Sequence, residues 1–294
     1  MLLTTVVNRH HGVPYDVYIG RGSPWGNPFQ VGVDGSRDDV VDKYRAWFRD
    51  RVKEPTFRAE TIALRGKRIC CSCSPARCHG DIIVEWLHHP ASLLTLTQDS
   101  DDKYGSRTRK NARAADLTAA FAVNYKTRGE WLTQTVAGDR YVAVPLGTPV
   151  LDAAHALAAA LYKHDAKILN VAGNGLHTLS RLNWGQRQVD QWVFDVIKTT
   201  LATDASIPLV AVRSGGQTGA DLAGGIAALA LGLPATLLFP KGFLQRDAAG
   251  RDATHSFAEI WKQIEEGLAA LKPAGGTQPG SNSAAVQQQL LPIG

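Results

Sequence analysis

The sequence lacks an uninterrupted apolar segment of the length that a membrane-spanning helix needs. An uncharged and largely apolar run at residues 222–240 is divided by Gly-Leu-Pro at 232–234, which indicates a buried helix followed by a buried strand. The first seven residues carry no charged side chain and are too few for a signal peptide. The sequence therefore predicts a cytoplasmic protein that does not enter a membrane.

Charged residues are scarce, at 20% of the 294 residues, whereas hydrophobic residues reach 44%. This balance excludes a disordered chain, and the absence of the relevant periods excludes collagen-like and coiled-coil chains. The length predicts two domains. The net charge of +5, from 32 basic and 27 acidic residues, fits a phosphate-bearing ligand and does not require nucleic acid.

Strand and helix patterns alternate along the chain, which predicts an α/β protein. The predicted divisions are a small α/β domain with the cysteines (1–97), a polar linker (98–113), a Rossmann-like nucleotide-binding domain (114–272) and a disordered tail (273–294). In the third division the alternation indicates a parallel sheet with helices on both faces. The basic half of the linker has a second interpretation, as an arm that contacts nucleic acid.

A glycine-rich segment lies between an apolar strand pattern at 208–213 and a helix pattern at 220–231. Free amides at a helix start stabilise phosphate, and glycines let a ligand approach the backbone. Asp221, in the first helical turn, is predicted to accept hydrogen bonds from ribose hydroxyls or to act as a base. The predicted anion-binding residues are Ser214, Gly215, Gly216, Gln217, Thr218 and Gly219. The alternative is a tight strand-to-helix turn that binds no ligand.

Two further loops are predicted to reach the same edge of the sheet. Gly173 and Asn174 follow a strand pattern at 167–172, and Lys241 follows another at 235–239. Ligands of such sheets bind at the carboxyl ends of strands, where the strand order reverses. We expect Asn174 to contact a base or sugar and Lys241 to contact phosphate. The alternatives are an ordinary Asn-Gly turn and a basic side chain at the surface.

The segment Ser214-Gly-Gly-Gln-Thr-Gly-Ala-Asp221, with Pro240-Lys241-Gly242 after the next strand, resembles a Rossmann-like superfamily. That superfamily includes the Lonely Guy phosphoribohydrolases, the DNA-processing protein DprA and predicted molybdenum-cofactor carriers, and the resemblance covers about residues 140–270. It implies a nucleotide-derived ligand and, in the Lonely Guy branch, cleavage of an N-glycosidic bond. By the resemblance, Asp221 takes the role of the acidic residue near the ribose.

The N-terminal region carries an irregular segment at residues 18–29, rich in glycine and proline. Arg21, Ser23, Trp25 and Asn27 would supply a cation, a hydroxyl, a stacking ring and an amide, which are the groups that bind a base and a phosphate. The alternative is an irregular loop that is held by a buried tryptophan.

All cysteines fall between residues 70 and 78, as Cys70, Cys71, Cys73 and Cys78. A disulfide framework would spread them, so the crowding favours metal or thiol chemistry. One interpretation is zinc, the one cofactor that the sequence suggests, bound by Cys71, Cys73 and Cys78 with a distant fourth ligand. A second is a reactive Cys78 thiolate at a helix start, and a third is a purely structural role.

Residues 6–9 and 18–29, with Cys71-x-Cys73-x-Pro75-x-x-Cys78-His79-Gly80-Asp81, resemble domain of unknown function 4326. The resemblance covers nearly all of residues 1–95. Because that family is frequent in phage and bacterial proteins, it implies a phage-encoded role in nucleotide metabolism or defence.

The predicted function is a nucleotide- or nucleoside-processing enzyme that acts at an N-glycosidic bond, with Asp221 near the ribose and phosphate held at 214–219. The alternative is a protein that binds a nucleotide signal without turning it over. The predicted partner is a nucleotide or a molecule derived from one, with nucleic acid as a minor candidate. We also expect a homo-oligomer.

Overall fold

The computed structural model describes residues 4–204 and 206–272, so the predicted tail at 273–294 lies outside it. In the N-terminal region, three short parallel strands pair in the order β1-β3-β2. They are β1 (Thr5–Asn8), β2 (Val17–Tyr18) and β3 (Arg68–Cys71). The helices of this region are α1 (Arg37–Arg51), α2 (Pro55–Ile62) and α3 (His79–His88).

Helix α1 shows why these elements form where the sequence predicts them. Ser36 caps it, and a reciprocal capping box joins Ser36 to Asp39. Its apolar residues recur at helical spacing, so that Tyr44 and Phe48 are buried together against Ile69 of β3 and Ile83 of α3. The N-terminal region therefore has a hydrophobic core of its own.

The rest of the described chain is built on a six-stranded sheet in the order β4-β9-β8-β7-β5-β6. Every neighbouring pair is parallel, which confirms the predicted parallel sheet. The strands are β4 (Leu94–Gln98), β5 (Leu117–Ala122), β6 (Tyr141–Pro145), β7 (Ile168–Gly173), β8 (Ala211–Ser214) and β9 (Ala235–Phe239).

Helices cover both faces of this sheet, as predicted. They are α4 (Tyr104–Arg113), α5 (Arg128–Ala137), α6 (Val150–Lys163), α7 (Leu176–Leu179), α8 (Gln186–Thr203), α9 (Ala220–Ala230) and α10 (Phe257–Ala270). Helix α4 packs on α5, and α8 packs on α6 and α9, as expected if right-handed crossovers place these two groups on opposite faces of the sheet. A short antiparallel pair, β10 (Gln245–Arg246) and β11 (Asp252–Ala253), follows β9.

The strand order reverses between β5 and β7, because the chain runs from β5 to β6 at one edge and then returns to β7 on the other side. All six residues of β5 are buried, as expected for a central strand that is covered on both faces. Helix α9 lies very close to the sheet, since a Cβ on Gly224 would come within 2.4 Å of Val171. This close packing fixes the first turn of α9, with Asp221, above the carboxyl end of β8.

Residues 98–113 do not form the predicted polar linker. Leu94–Gln98 is an edge strand of the large sheet, and Tyr104–Arg113 is helix α4. Lys110 pairs with Asp99 at 2.6 Å, and the Asn111 side chain donates to the Ser214 carbonyl at 3.0 Å. Asp99, Arg107 and Lys110, three of the charged side chains that suggested a solvated segment, thus have partners within the fold, which composition alone does not show. No helix of the described residues is long and apolar enough to cross a membrane.

Candidate functional site

Two adjoining cavities open where the strand order reverses, at the carboxyl ends of β5, β7 and β8. Their volumes are about 230 Å³ and about 100 Å³. Tyr104, Arg107, Glu130, Gly173 and Asp221 line both of them. This is the position at which parallel α/β sheets bind their ligands.

A buried ion pair lines both cavities of this crevice. Arg107 of α4 contacts Asp221 of α9 at 2.5 Å, and the two side chains are only 11% and 6% exposed. Burial raises the pKa of Asp221, while the charge of Arg107 and a hydrogen bond from the Gln217 backbone oppose that rise. The Nε atom of Arg107 is buried without a hydrogen-bond partner among the described residues.

Glu130 supplies a second buried carboxyl to the same cavities. It lies in the first turn of α5, where its amide donates to the Thr127 hydroxyl, and it is 3% exposed. Burial and the nearby charge of Asp221 raise its pKa to about 7, and the Tyr141 hydroxyl donates to it at 3.3 Å. A carboxyl with that pKa can give or take a proton near neutral pH.

The predicted phosphate cradle at 214–219 has to be corrected, because the protein itself occupies several of its donors. The Thr218 amide donates to the Gln217 side chain at 3.0 Å, and the Gly219 amide donates to the Gln186 side chain at 2.6 Å. The hydroxyls of Ser214 and Thr218 donate to the carbonyl oxygens of Asp221 and Arg246. These groups hold the loop in shape and are not available to a ligand.

Two glycines of this loop lie so close to neighbouring side chains that no larger residue fits at their positions. A Cβ on Gly215 would lie 1.5 Å from the Arg107 guanidinium, and one on Gly216 would lie 2.2 Å from the Phe239 ring. The amides of Gly215 and Gly216 have no acceptor among the described residues. Of the predicted cradle at 214–219, only Gly215 and Gln217 line the cavities, together with Asp221.

The two other predicted loops differ in their outcome. Gly173 and Asn174 line the crevice, but the Asn174 side-chain oxygen already accepts from the amides of Val123 and Asn124 at 3.0 and 2.9 Å. Asn174 therefore joins the loops after β5 and β7. Lys241 is exposed and lines neither cavity, while Arg246 from the same loop lines the larger one and pairs with Asp252 at 2.8 Å.

Several cavity residues were not predicted from the sequence: Tyr104, Arg107, Thr127, Gly129, Glu130 and His177. Most of them follow β5 or lie on α4, which the sequence analysis did not identify. The signal that could have found β5 is the apolar run Leu117–Ala122, followed by Thr127 and Glu130 at capping-box spacing.

In the N-terminal region, a third cavity of about 230 Å³ contains two of the four residues predicted in the 18–29 loop, Arg21 and Asn27. Trp25 does not line it. The Trp25 ring is partly buried against the N-terminal core, and its Nε1 donates to the Thr61 hydroxyl at 3.0 Å. The Ser23 hydroxyl is buried without a partner and also lies outside the cavity wall. Trp25 thus holds the loop instead of offering a stacking surface.

The structure brings the three predicted zinc ligands close together. The sulfur atoms of Cys71, Cys73 and Cys78 all lie within 4.8 Å of one another, and none of these cysteines is in a disulfide. Hydrogen bonds with Cys71 and Cys78 lower the pKa of Cys73 to about 2, whereas hydrogen bonds with Cys71 and Cys73, together with burial, raise the pKa of Cys78. These directions favour negative charge on Cys73 over Cys78, which is the residue named in the thiolate interpretation.

Residues 6–89 match the family described as Domain of unknown function (DUF4326). A segment of 83 residues, 28% of the chain, is 42% identical to "Uncharacterized 12.4 kDa protein in nrdA-td intergenic region" of Enterobacteria phage T4 and covers 74% of that protein. The chain belongs to the DUF4326 family, which confirms the N-terminal resemblance. The match ends before β4 and does not bear on the resemblance at 140–270. No solved structure matches the chain.

Proposed function

We propose that the crevice of the large sheet binds a nucleoside or nucleotide and hydrolyses its N-glycosidic bond. The observation that carries the proposal is the meeting of two buried carboxyls, Glu130 and Asp221, at the reversal of strand order. Glycoside hydrolysis commonly uses two carboxyls in different protonation states. The resemblance of residues 140–270 to the Lonely Guy group supports the same class of reaction.

The two carboxyls are placed in different electrostatic surroundings. Asp221 contacts the Arg107 guanidinium at 2.5 Å, which favours its ionised form, whereas no cation contacts Glu130 in the described chain. Asp221 would stabilise the positive charge that develops on the ribose as the bond to the base breaks. Glu130, with a pKa raised to about 7, would donate a proton to the departing base and then accept one from the attacking water.

An anionic group of the substrate fits the start of α5 better than the 214–219 loop. Thr127 and Gly129 line the larger cavity, and the first amides of a helix have no partner within the helix. His177 and Arg246 lie in the same wall. Phosphate would therefore bind between the start of α5 and these two side chains, and the Tyr104 ring would face the base.

A second candidate is a protein that binds a nucleotide signal without turnover. The observation that favours it is the Arg107–Asp221 pair itself, since an aspartate held at 2.5 Å by a buried guanidinium is already neutralised before any substrate charge develops. Under this candidate the ligand binds against Arg107 in the cavities and is released unchanged.

The test incubates the full chain with nucleosides, nucleoside monophosphates and dinucleotides, and measures free base by chromatography and mass spectrometry. Asp221→Asn and Glu130→Gln should each lower base release at least about a hundredfold, since general acid–base groups contribute about 10²–10⁴. Asp190→Asn is the matched control, because burial also raises the pKa of Asp190 to about 7 but its side chain lines neither cavity.

Base release that both site variants lose and the control keeps would support hydrolysis. Tight binding of a nucleotide that is always recovered intact would support the second candidate and contradict the first. If no compound binds or shifts the melting temperature, both candidates fail.

A further inference from the structure

The N-terminal region holds a cluster of thiols that the crevice of the large sheet does not involve. Cys71 ends β3, Cys78 caps α3, and Cys73 lies in the loop between them. The sulfurs of Cys71 and Cys78 are 2.9 Å apart, and all three sulfurs lie within 4.8 Å. Cys70, the neighbour of Cys71, is equally buried but does not belong to this group.

The loop is built to hold these sulfurs together. The Asn8 side chain donates to the carbonyl oxygens of Ser72 and Ser74. The Cys78 amide donates to the Asp81 carboxylate at 2.9 Å, in the capping box that begins α3. The cluster is thus fixed from the strand before it and from the helix after it.

Backbone amides point at two of the three sulfurs. The Cys73 amide donates to Cys71 Sγ at 3.3 Å, and the Gly80 amide donates to Cys78 Sγ at 3.2 Å. Amide donors of this kind stabilise negative charge on sulfur, and they are the usual outer partners of metal-bound thiolates. Zinc–sulfur bonds of about 2.3 Å in a tetrahedron put sulfurs about 3.8 Å apart, within the spread observed here.

The fourth side of the cluster faces the third cavity. Cys73, Arg21, Arg37, Arg77 and His79 line it. Arg77 is neutralised by Asp38 and Asp42. Among the described residues Arg21 and Arg37 form no ion pair with a carboxylate, and Arg37 hydrogen-bonds to Cys73. The cavity wall therefore places positive charge beside the sulfurs: Arg37 offsets the net negative charge of three thiolates on a divalent ion, and the charge of Arg21 is left to attract an anionic occupant.

We propose that Cys71, Cys73 and Cys78 bind one Zn²⁺ ion, whose fourth coordination position opens into this cavity and accepts an anionic ligand. Three soft thiolates select zinc over the hard cations, and an open fourth position is what distinguishes a reactive zinc site from a structural one. His79 is held beside the site, with its Nε2 at 2.9 Å from the Ile19 carbonyl oxygen.

The first experiment measures metal in the purified full chain by elemental analysis. We expect about one zinc per chain in the wild type and in Cys70→Ser, the matched control, and at least a tenfold loss in Cys73→Ser. Cys73 is the half-exposed member of the cluster, so its serine variant should fold, and circular dichroism checks this. Equal zinc in Cys73→Ser and wild type would overturn the proposal. So would wild-type protein that, purified under reducing conditions and then incubated with Zn²⁺, retains no zinc.

The second experiment replaces zinc by Co²⁺ and records the visible spectrum, which reports the coordination sphere. Added inorganic phosphate should change the cobalt bands of the wild type. Arg37→Gln should bind the same amount of Co²⁺ but need at least about tenfold more phosphate for the same change. Cobalt bands that phosphate never alters would overturn the open fourth position. Equal phosphate dependence in both proteins would overturn the role of the cavity.

Discussion

In the N-terminal region, three sulfurs meet because one short loop, residues 71–78, turns back on itself between a strand and a helix. In the large sheet, Arg107 and Asp221 meet although 114 positions separate them in the sequence, and Glu130 joins them from a third helix. The thiol cluster is formed by residues that are close together in the sequence, and its geometry depends on one loop. The second site depends on the strand order, since only the sheet brings α4, α5 and α9 to one edge.

This difference predicts how a substitution at each site affects the stability of the rest of the protein. A change at the crevice should be transmitted to the whole sheet, because its charged groups are buried between elements that pack on each other. A change in the thiol cluster should affect mainly its own loop. The following variants test that contrast in decreasing order of expected effect.

The largest effect is expected from Arg107→Met. It leaves the Asp221 carboxylate, which is 6% exposed, without its partner, and an uncompensated buried charge costs about 3–5 kcal/mol. The free energy of unfolding, measured by urea titration with circular dichroism, should fall by that amount. Zinc content, if the thiol cluster binds zinc, should stay unchanged under conditions where the protein is folded.

The control for this variant is the double change Arg107→Met with Asp221→Asn. Because no charge is then left buried, it should recover most of the lost stability, giving a clear coupling energy between the two positions. A loss below about 1 kcal/mol in the single variant would show that water or another group reaches Asp221, and the ion pair would not be essential to the crevice.

The same contrast explains which site residues can be predicted from the sequence and which cannot. The thiol cluster and the helix that follows it were predicted because their residues are neighbours in the chain, as were the glycine-rich turn and Asp221. Arg107 and Glu130 were missed because their partners are remote, and because α4 resembles a solvated segment in composition. The occupied amides of Thr218 and Gly219 were also unpredictable, since Gln186, which occupies one of them, comes from another helix.

A second prediction concerns pH and Glu130. The unfolded side chain ionises near its usual pKa of 4.5, whereas the folded one has a pKa of about 7. Between these values the folded state holds one proton more, so the free energy of unfolding falls as pH rises through this range, by about 3 kcal/mol from this group. Glu130→Gln should remove that loss and be more stable than wild type at about pH 8, with little difference at about pH 5.

Urea titrations at both pH values measure this effect. Asp190→Asn should show the same direction, because burial also raises the pKa of Asp190 to about 7, but it should not reduce base release. If Glu130→Gln has the same stability relative to wild type at both pH values, Glu130 ionises normally and cannot serve as the proton donor proposed for the crevice.

The smallest effect is expected from Trp25→Phe. This variant tests whether Trp25 only stabilises the 18–29 loop or also takes part in ligand binding. The change removes the hydrogen bond from Trp25 Nε1 to the Thr61 hydroxyl, at a cost of about 1 kcal/mol in the free energy of unfolding.

Trp131→Phe is the matched control, because Trp131 is 64% exposed, and it should change stability by less than half as much. Since Trp25 lies outside the cavity wall, the phosphate dependence of the cobalt spectrum should not change. A variant of unchanged stability that binds phosphate at least tenfold more weakly would show that Trp25 acts on the ligand. The 18–29 loop, which already lines the cavity with Arg21 and Asn27, would then also bind the ligand through Trp25.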